Sequence, residues 1–221
     1  MTKKLELELS KLEFFKAIRK KKHLVCLLLE ILINFKLYSP KKDFSSVLPI
    51  IDDENTIRIY IYIDKMQRIF FCTKDKVQSF SLPFSVKYNE EEESEIEFTI
   101  DNRNIEVGPM YFLLGIFKQE FSSLAELIDK INDDEFYQKF DEYTKKLVDN
   151  LALQLLLFED GYLRFDYNDC ENQNGAKHPI NHIDFYYSDG NTFKMGITKV
   201  YQLEEHIKIL DINQDCVFIE E

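Results

Sequence analysis

Residues 162–197 read YLRFDYNDCENQNGAKHPINHIDFYYSDGNTFKMGI, and two segments of this stretch alternate between apolar and polar side chains. Successive side chains of a β-strand point to opposite faces of the sheet. In a first strand, Leu163, Phe165 and Tyr167 therefore share one face, while Arg164 and Asp166 share the other. The alternation predicts a strand with one apolar and one polar face.

The second segment, residues 180–187, sorts in the same way. Ile183 and Phe185 lie on one face, and His182 and Asp184 lie on the opposite face. Both strands thus carry an apolar face that can join a core. We predict that they pair as neighbours in an antiparallel sheet.

The turn that follows the second strand fixes which side chains are neighbours in the third strand. A two-residue turn at 189–190 places Asp184 beside Met195, which mixes polar with apolar side chains. A three-residue loop at 189–191, with Gly190 available for a positive φ, instead pairs Phe185 with Met195. We predict the three-residue loop because it keeps the apolar side chains together.

The predicted register also defines the polar face. Lys194 lies opposite Tyr186, and Gly196 lies beside Asp184, where it leaves a gap. If the first two strands pair, the face collects the candidate catalytic residues, with His178 at its edge: Arg164, Asp166, His178, His182, Asp184 and Lys194.

These residue types permit two interpretations. A histidine beside carboxylates can act as a general acid or base, and Arg164 with Lys194 can bind an anion such as a phosphate. Opposite charges on a solvated sheet face can equally serve as stabilising cross-strand pairs. No nucleophile elbow or phosphate-binding loop decides between them.

The HPINH segment at 178–182 also invites a zinc site, with Cys170 and Asp184 as further ligands. Residues four apart on a strand lie about 13 Å apart, too far to share one ion. Only a tight turn at His178-Pro179 would bring the two rings together. Because the usual zinc-ligand spacings are absent, we predict no metal and no cofactor.

Composition limits the classes of partner. The 221 residues carry 40 acidic and 28 basic side chains, a formal net charge of −12, which disfavours non-specific binding to duplex DNA. We expect a protein partner, while a small phosphate ligand or RNA remains compatible with the basic side chains. The apolar run HLVCLLLEILINF is interrupted by Glu30 and is too short to span a membrane.

The cysteines indicate the compartment. All four are widely spaced, with neither a CxxC motif nor a small disulfide framework, and no signal segment precedes them. We therefore predict a cytoplasmic protein with reduced thiols.

The hydrophobic period changes in blocks along the chain, which predicts an α+β fold. A helix over 9–38 precedes an antiparallel meander over 56–107, then helices over 109–158, then a C-terminal antiparallel sheet closed by a helix near 200–210. We predict one domain over 1–221, with a subdivision at 108/109 as the alternative.

Capping signals place the starts of these helices. Ser10 with Glu13 and Ser123 with Glu126 both fit a capping box. Asp133 or Asp134 is predicted to cap one long helix, because apolar residues recur at three- and four-residue steps as far as residue 158. We expect this stripe to be core: Phe136, Phe140, Tyr143, Leu147, Leu151, Leu155 and Phe158.

The motifs RFDY (164–167), HPINH (178–182) and KMGI (194–197) resemble a bacterial family of uncharacterised proteins of similar length. That family carries an arginine-Phe-Asp-Tyr strand, then His-Pro-x-x-His, then a short basic-apolar strand. The resemblance implies a bacterial, cytosolic protein and supplies no activity. Phe193 stands where the family pattern has a cysteine, which puts any shared cysteine role in doubt.

Two functions compete at this point. The first is a binding or regulatory subunit of a bacterial multi-protein assembly, such as a defence or toxin-type system. The second is a small hydrolase or nuclease in which His182 is the acid or base and Arg164 stabilises the transition state. A concave site at Gly196 would favour the enzyme, and a flat solvated face would favour the subunit.

Overall fold

The structure is a computed structural model, and it describes residues 4–9, 18–38, 41–43, 56–62, 66–88, 96–167, 177–189, 191–198, 201, 203–211 and 214–215. The predicted α+β class is confirmed. In chain order the elements are β1 (Lys4–Leu9), α1 (Lys21–Leu37), β2 (Lys41–Asp43), β3 (Ile57–Tyr62), β4 (Arg68–Cys72), β5 (Lys76–Ser81), β6 (Ser85–Tyr88), β7 (Ile96–Ile100), β8 (Arg103–Asn104), α2 (Val107–Lys118), α3 (Leu124–Asn132), α4 (Glu135–Gln138), α5 (Glu142–Leu157), β9 (Leu163–Asp166), β10 (His182–Ser188), β11 (Asn191–Gly196) and α6 (Leu203–Leu210).

The chain divides into two compact units built from interleaved segments. The first unit comprises residues 1–11, 40–82 and 160–221, and the second comprises residues 12–39 and 83–159. This division differs from the alternative boundary at 108/109. The assignment of the chain to a single domain stays a prediction.

The first unit contains one sheet in the order β11-β10-β9-β5-β4-β3-β1-β2, and its neighbouring strands are antiparallel. The C-terminal strands extend the same sheet as the meander, since β9 pairs with β5 and sets Phe165 opposite Val77. The separate C-terminal sheet that the sequence suggested is therefore part of a larger one. This long-range pairing positions the polar face described below.

The apolar side of this sheet packs against α6, the predicted closing helix. Ile207 and Leu210 of α6 contact a buried cluster that includes Phe165 and Val77. Leu163 and Ile183, which the sequence places on the apolar face, pack against the same cluster, as does Ile197. Burial of such side chains stabilises a fold by roughly 1.5–3 kcal/mol each.

The N-terminus departs from the prediction. Residues 4–9 read KLELEL and form β1, with Leu5 and Leu7 buried and Glu8 exposed. The period of two was present in the sequence but was overlooked beside the helix-compatible residues that follow. Helix α1 begins only at Lys21, and the proposed Ser10/Glu13 capping box lies outside the described residues.

The second unit contains α1 to α5 and a three-stranded antiparallel sheet of β6, β7 and β8. Phe35 of α1 meets Phe98 of β7 edge-on, with ring centroids 6.3 Å apart. Pro83 lies between β5 of the first unit and β6 of this sheet. The antiparallel meander predicted over 56–107 is therefore divided between two sheets: β3 to β5 belong to the large sheet, and β6 to β8 form this separate one.

One predicted long helix is divided in two. Ser123 caps α3 as expected by accepting from the Glu126 N–H at 3.2 Å. The stretch from residue 135, however, forms the short α4 and then α5, whose N-cap Asp141 accepts from the Thr144 N–H at 2.7 Å. Phe136 and Tyr143 of the predicted stripe are exposed, while Leu147, Leu151 and Leu155 of α5 are buried.

Two further predictions can be compared with the described residues. Cys26 and Cys72 are buried and are not in a disulfide, and Cys170 and Cys216 lie outside the described part of the chain. Among the helices of the described ranges, none has the length and apolar character needed to cross a membrane. The cytoplasmic location stays a prediction.

Candidate functional site

Pairing of β9 with β10 collects the predicted polar residues. Asp166 lies opposite His182, and Arg164 lies opposite Asp184, as the alternation predicted. Paired residues of antiparallel strands share a sheet face, so all four side chains lie together. The prediction of a shared face for these residues is confirmed.

The register of β10 with β11 differs from the prediction by two residues. Ser188 pairs with Asn191, which corresponds to the short turn that we disfavoured, and a bulge between Tyr186 and Ser188 then restores the sorting of faces. The bulge adds one residue to β10, so polar and apolar side chains still separate. As a result Lys194 lies opposite Asp184 rather than Tyr186, and Gly196 lies opposite His182.

Arg164 bridges the two carboxylates. Its Nε and Nη2 donate to Asp166 Oδ2 at 3.0 and 2.5 Å, and Nη2 also donates to Asp184 Oδ2 at 2.5 Å. Burial alone would lower the pKa of the Arg164 guanidinium, but the neighbouring Asp166 and Asp184 charges outweigh burial and raise this pKa. The guanidinium therefore stays charged and fixes both carboxylates.

His182 and Lys194 complete the cluster. The Lys194 ammonium lies 2.5 Å from Asp184 Oδ1 and 2.9 Å from His182 Nε2. His182 Nδ1 lies 2.9 Å from the carbonyl oxygen of Pro179, and its Nε2 lies 3.2 Å from Asp166 Oδ2. We assign the tautomer in which Nδ1–H donates to Pro179, since Nε2 can then accept from Lys194.

The HPINH segment folds back over the face. The rings of His178 and His182 meet edge-on with centroids 4.6 Å apart, so a tight turn does bring them together. Pro179 fills the space beside Gly196, where an added Cβ would lie only 2.9 Å from Pro179 Cγ. Pro179 therefore lies in the gap expected at Gly196.

We call Arg164, Asp166, His182, Asp184 and Lys194 the polar cluster. Asp166 and His182 are fully buried, and Lys194 is the most exposed member with 29% of its side chain accessible. The face is thus largely withdrawn from water, and His182 is a buried residue. The positive charges of Arg164 and Lys194 balance the negative charges of Asp166 and Asp184.

Sequence reasoning missed one neighbour of the polar cluster. Gln78 of β5 lies opposite Arg164 and is buried. The sequence of residues 76–81 does not show that Gln78 lies beside Arg164. Their proximity results from the pairing of β5 with β9, which are separated by more than eighty residues of chain.

His206 shows a different environment on the other side of the sheet. The structure buries it completely in α6. Its ring packs at a tilt against the ring of Phe165, with centroids 3.9 Å apart, and forms a hydrogen bond with the Tyr167 hydroxyl. Burial lowers the pKa of His206 to about 4, so the ring is neutral at pH 7.

A second candidate site lies in the second unit, in an apolar groove of about 260 Å³ between α3 and α5. We call it the α3–α5 groove. Exposed apolar side chains stand on both walls, with Ile128 47% and Leu153 48% accessible. The main apolar lining residues are Leu124, Leu127, Ile128, Ile131, Leu153 and Leu156.

No family model, curated protein or solved structure matches this chain. The likeness to a bacterial family in the RFDY and HPINH motifs stays a prediction. The function is therefore inferred from the residues of this chain alone.

Proposed function

We propose that the protein is a binding subunit of a multi-protein assembly and that the α3–α5 groove receives an amphipathic helix of a partner protein. The observation that carries this proposal is the exposure of large apolar side chains on both walls of one groove. The free energy falls when a partner covers apolar groups that were exposed to water. Contiguous apolar patches therefore often mark interaction sites.

The shape of the groove favours a helix as its occupant. Two helices form its walls, α3 with nine residues and α5 with sixteen. A helix that presents apolar residues at three- and four-residue steps can lay one face into such a groove. The Tyr137 hydroxyl donates to Asp149 Oδ1 at 3.0 Å, which restrains one polar residue of the lining.

The charge around the groove favours a basic partner. Residues 123–159 contain nine acidic and four basic side chains, so this segment is negatively charged. Lysine or arginine residues beside the apolar face of the partner helix would complement it, and such pairing mainly speeds association. We therefore expect association to slow as ionic strength rises.

The test compares capture of proteins from the native host by the wild-type chain and by groove variants. Ile128→Glu and Leu153→Glu place a charge in the groove, and Tyr111→Glu is the matched control, because Tyr111 is 52% exposed on α2 and does not line the groove. We expect a partner that is retained by the control and lost with both groove variants. Its cross-links should map to a basic amphipathic helix.

Capture that is unchanged by Ile128→Glu and Leu153→Glu would contradict the proposal. Cross-links to a nucleic acid or to a non-helical segment of the partner would contradict its stated occupant. Thermal unfolding of each variant shows whether the fold is intact, and we expect little change because exposed substitutions usually alter stability by less than about 0.5 kcal/mol.

A hydrolase of phosphodiesters is the second candidate, and it is favoured by one observation. The predicted catalytic residues do come together, with His182 in contact with Asp166 and with Lys194. A substrate would reach His182 from the side of Lys194, the most exposed member of the cluster. Hydrolysis of bis(p-nitrophenyl) phosphate that disappears in a folded His182→Gln protein would support this candidate, and no hydrolysis by the wild type would remove it.

A further inference from the structure

We propose that Asp166, His182 and Asp184 bind a divalent transition-metal ion in exchange for the ammonium group of Lys194. The site lies in the first unit, so it goes beyond the binding function assigned to the α3–α5 groove and does not depend on it.

The distances suit a shared ion. One potential ligand atom from each of the three residues lies within 4.8 Å of the others. Metal–ligand bonds of about 2.0–2.2 Å allow ligand atoms of one ion to be up to about 4.4 Å apart, so only small side-chain movements are needed.

His182 is oriented as metal-binding histidines usually are. Its Nδ1 is 2.9 Å from the Pro179 carbonyl oxygen, a partner that holds the ring and turns the other nitrogen toward the carboxylates. Nε2 then has a lone pair 3.2 Å from Asp166 Oδ2 and 3.7 Å from Asp184 Oδ1. A cation between these groups would meet one nitrogen and two carboxylates.

A cation already lies there, since the Lys194 ammonium contacts both His182 Nε2 and Asp184 Oδ1. Lys194 is on β11, the last strand at this end of the sheet, and 29% of its side chain is exposed. Its flexible stem can therefore carry the ammonium into solvent without moving the strand. Metal and ammonium would compete for one position.

The remaining contacts leave ligand atoms for the metal. Arg164 holds the Oδ2 atoms of Asp166 and Asp184, so the Oδ1 atoms are not used by it. Asp166 Oδ1 is buried and receives no hydrogen bond from the described residues. A buried acceptor without a partner is costly, and coordination would relieve that cost.

The donor set selects the class of ion. One imidazole and two carboxylates suit Mn²⁺, Fe²⁺ or Zn²⁺, whereas Mg²⁺ and Ca²⁺ prefer oxygen ligands alone. We expect the site to prefer Mn²⁺ to Mg²⁺.

The experiment titrates the untagged full chain with Mn²⁺ and follows the loss of the free-ion electron paramagnetic resonance signal. We expect one Mn²⁺ per chain in the wild type and about tenfold tighter binding in Lys194→Met, because the competing charge is gone. Asp184→Asn should weaken binding by at least about tenfold. An equal concentration of Mg²⁺ should not displace Mn²⁺.

The proposal would be overturned if the Lys194→Met protein bound Mn²⁺ no more tightly than the wild type. It would also be overturned if neither protein bound Mn²⁺. Lys145→Met is the matched control, since Lys145 is a partly exposed lysine whose carboxylate partner, Glu142, lies in the second unit. It should leave the affinity unchanged. Should Asp184→Asn fail to fold, the comparison of Lys194→Met with the wild type still decides.

Discussion

The polar cluster of β9–β11 and the α3–α5 groove use their side chains in opposite ways. In the polar cluster, charged groups are withdrawn from water, and Arg164 and Lys194 neutralise the two carboxylates. In the groove, apolar groups such as Ile128 and Leu153 are left in water without cover. Buried charges need partners inside the protein if the fold is to be stable, whereas uncovered apolar surface indicates a region that serves a partner.

This contrast predicts different responses to substitution. Removing one member of a buried ionic network leaves another charge unpaired, which destabilises strongly. Removing an exposed apolar side chain changes folding little but removes contacts from a complex. The predictions below concern the polar cluster and the sheet around it, and they run from the largest expected effect on stability to the smallest.

Asp166→Ala should give the largest loss. Arg164 and His182 then lose their shared carboxylate inside the protein, and we expect a loss of about 3 kcal/mol in the free energy of unfolding, because Arg164 retains Asp184. Urea unfolding measures it. Glu142→Gln, which breaks an exposed ion pair with Lys145, is the control and should change little. Equal losses in the free energy of unfolding for the two variants would contradict the burial of the polar cluster.

Acid should destabilise the fold through His206, on the opposite side of the sheet from the cluster. The folded pKa is about 4 and the unfolded value is 6.5, so the unfolded chain binds more protons between these values. Stability present above pH 6.5 is therefore lost as pH falls toward 4, by up to about 3 kcal/mol. Urea unfolding at both pH values should show a smaller loss in His206→Gln, and identical losses would refute the assignment.

Gly196→Ala tests the packing of the HPINH segment against the polar face. Its new Cβ would lie 2.9 Å from Pro179 Cγ, and the forced shift should cost roughly 1–3 kcal/mol. Gly115→Ala is the control, because nothing lies within 4 Å of a Cβ added at Gly115. Gly115 is an exposed position in the middle of α2, where alanine should stabilise the helix by up to about 1 kcal/mol. Calorimetric melting of both variants should give shifts of opposite sign, and stabilisation by Gly196→Ala would contradict the packing.

The sequence was sufficient to sort the faces of the C-terminal strands. Alternation placed Asp166 and His182 on the polar side. The preference for matching faces correctly predicted which residues of β11 lie on each side of the sheet. The bulge after Tyr186 was not predicted, because the alternation of side chains does not show where a strand carries one extra residue. That two-residue difference decides whether Lys194 meets Asp184 or Tyr186.

Burial of the polar face could not be read from the sequence. A strand with alternating charges is usually half solvated, and only the return of Pro179 over Gly196 and the pairing of β5 with β9 show otherwise. The division of α4 from α5 was missed for a similar reason. Asp141 was a capping signal inside an apolar repeat, and the repeat was given more weight.

Hydrogen–deuterium exchange of the wild-type chain, alone and with its captured partner, compares the two regions most directly. Amides of α3 and α5 at 124–132 and 149–157 should become protected in the complex, because the partner covers the groove walls. Amides of β10 and β11 should exchange at the same rate with and without the partner. Protection at 182–196 with none in α3 or α5 would contradict the account and would move the binding surface to the polar cluster.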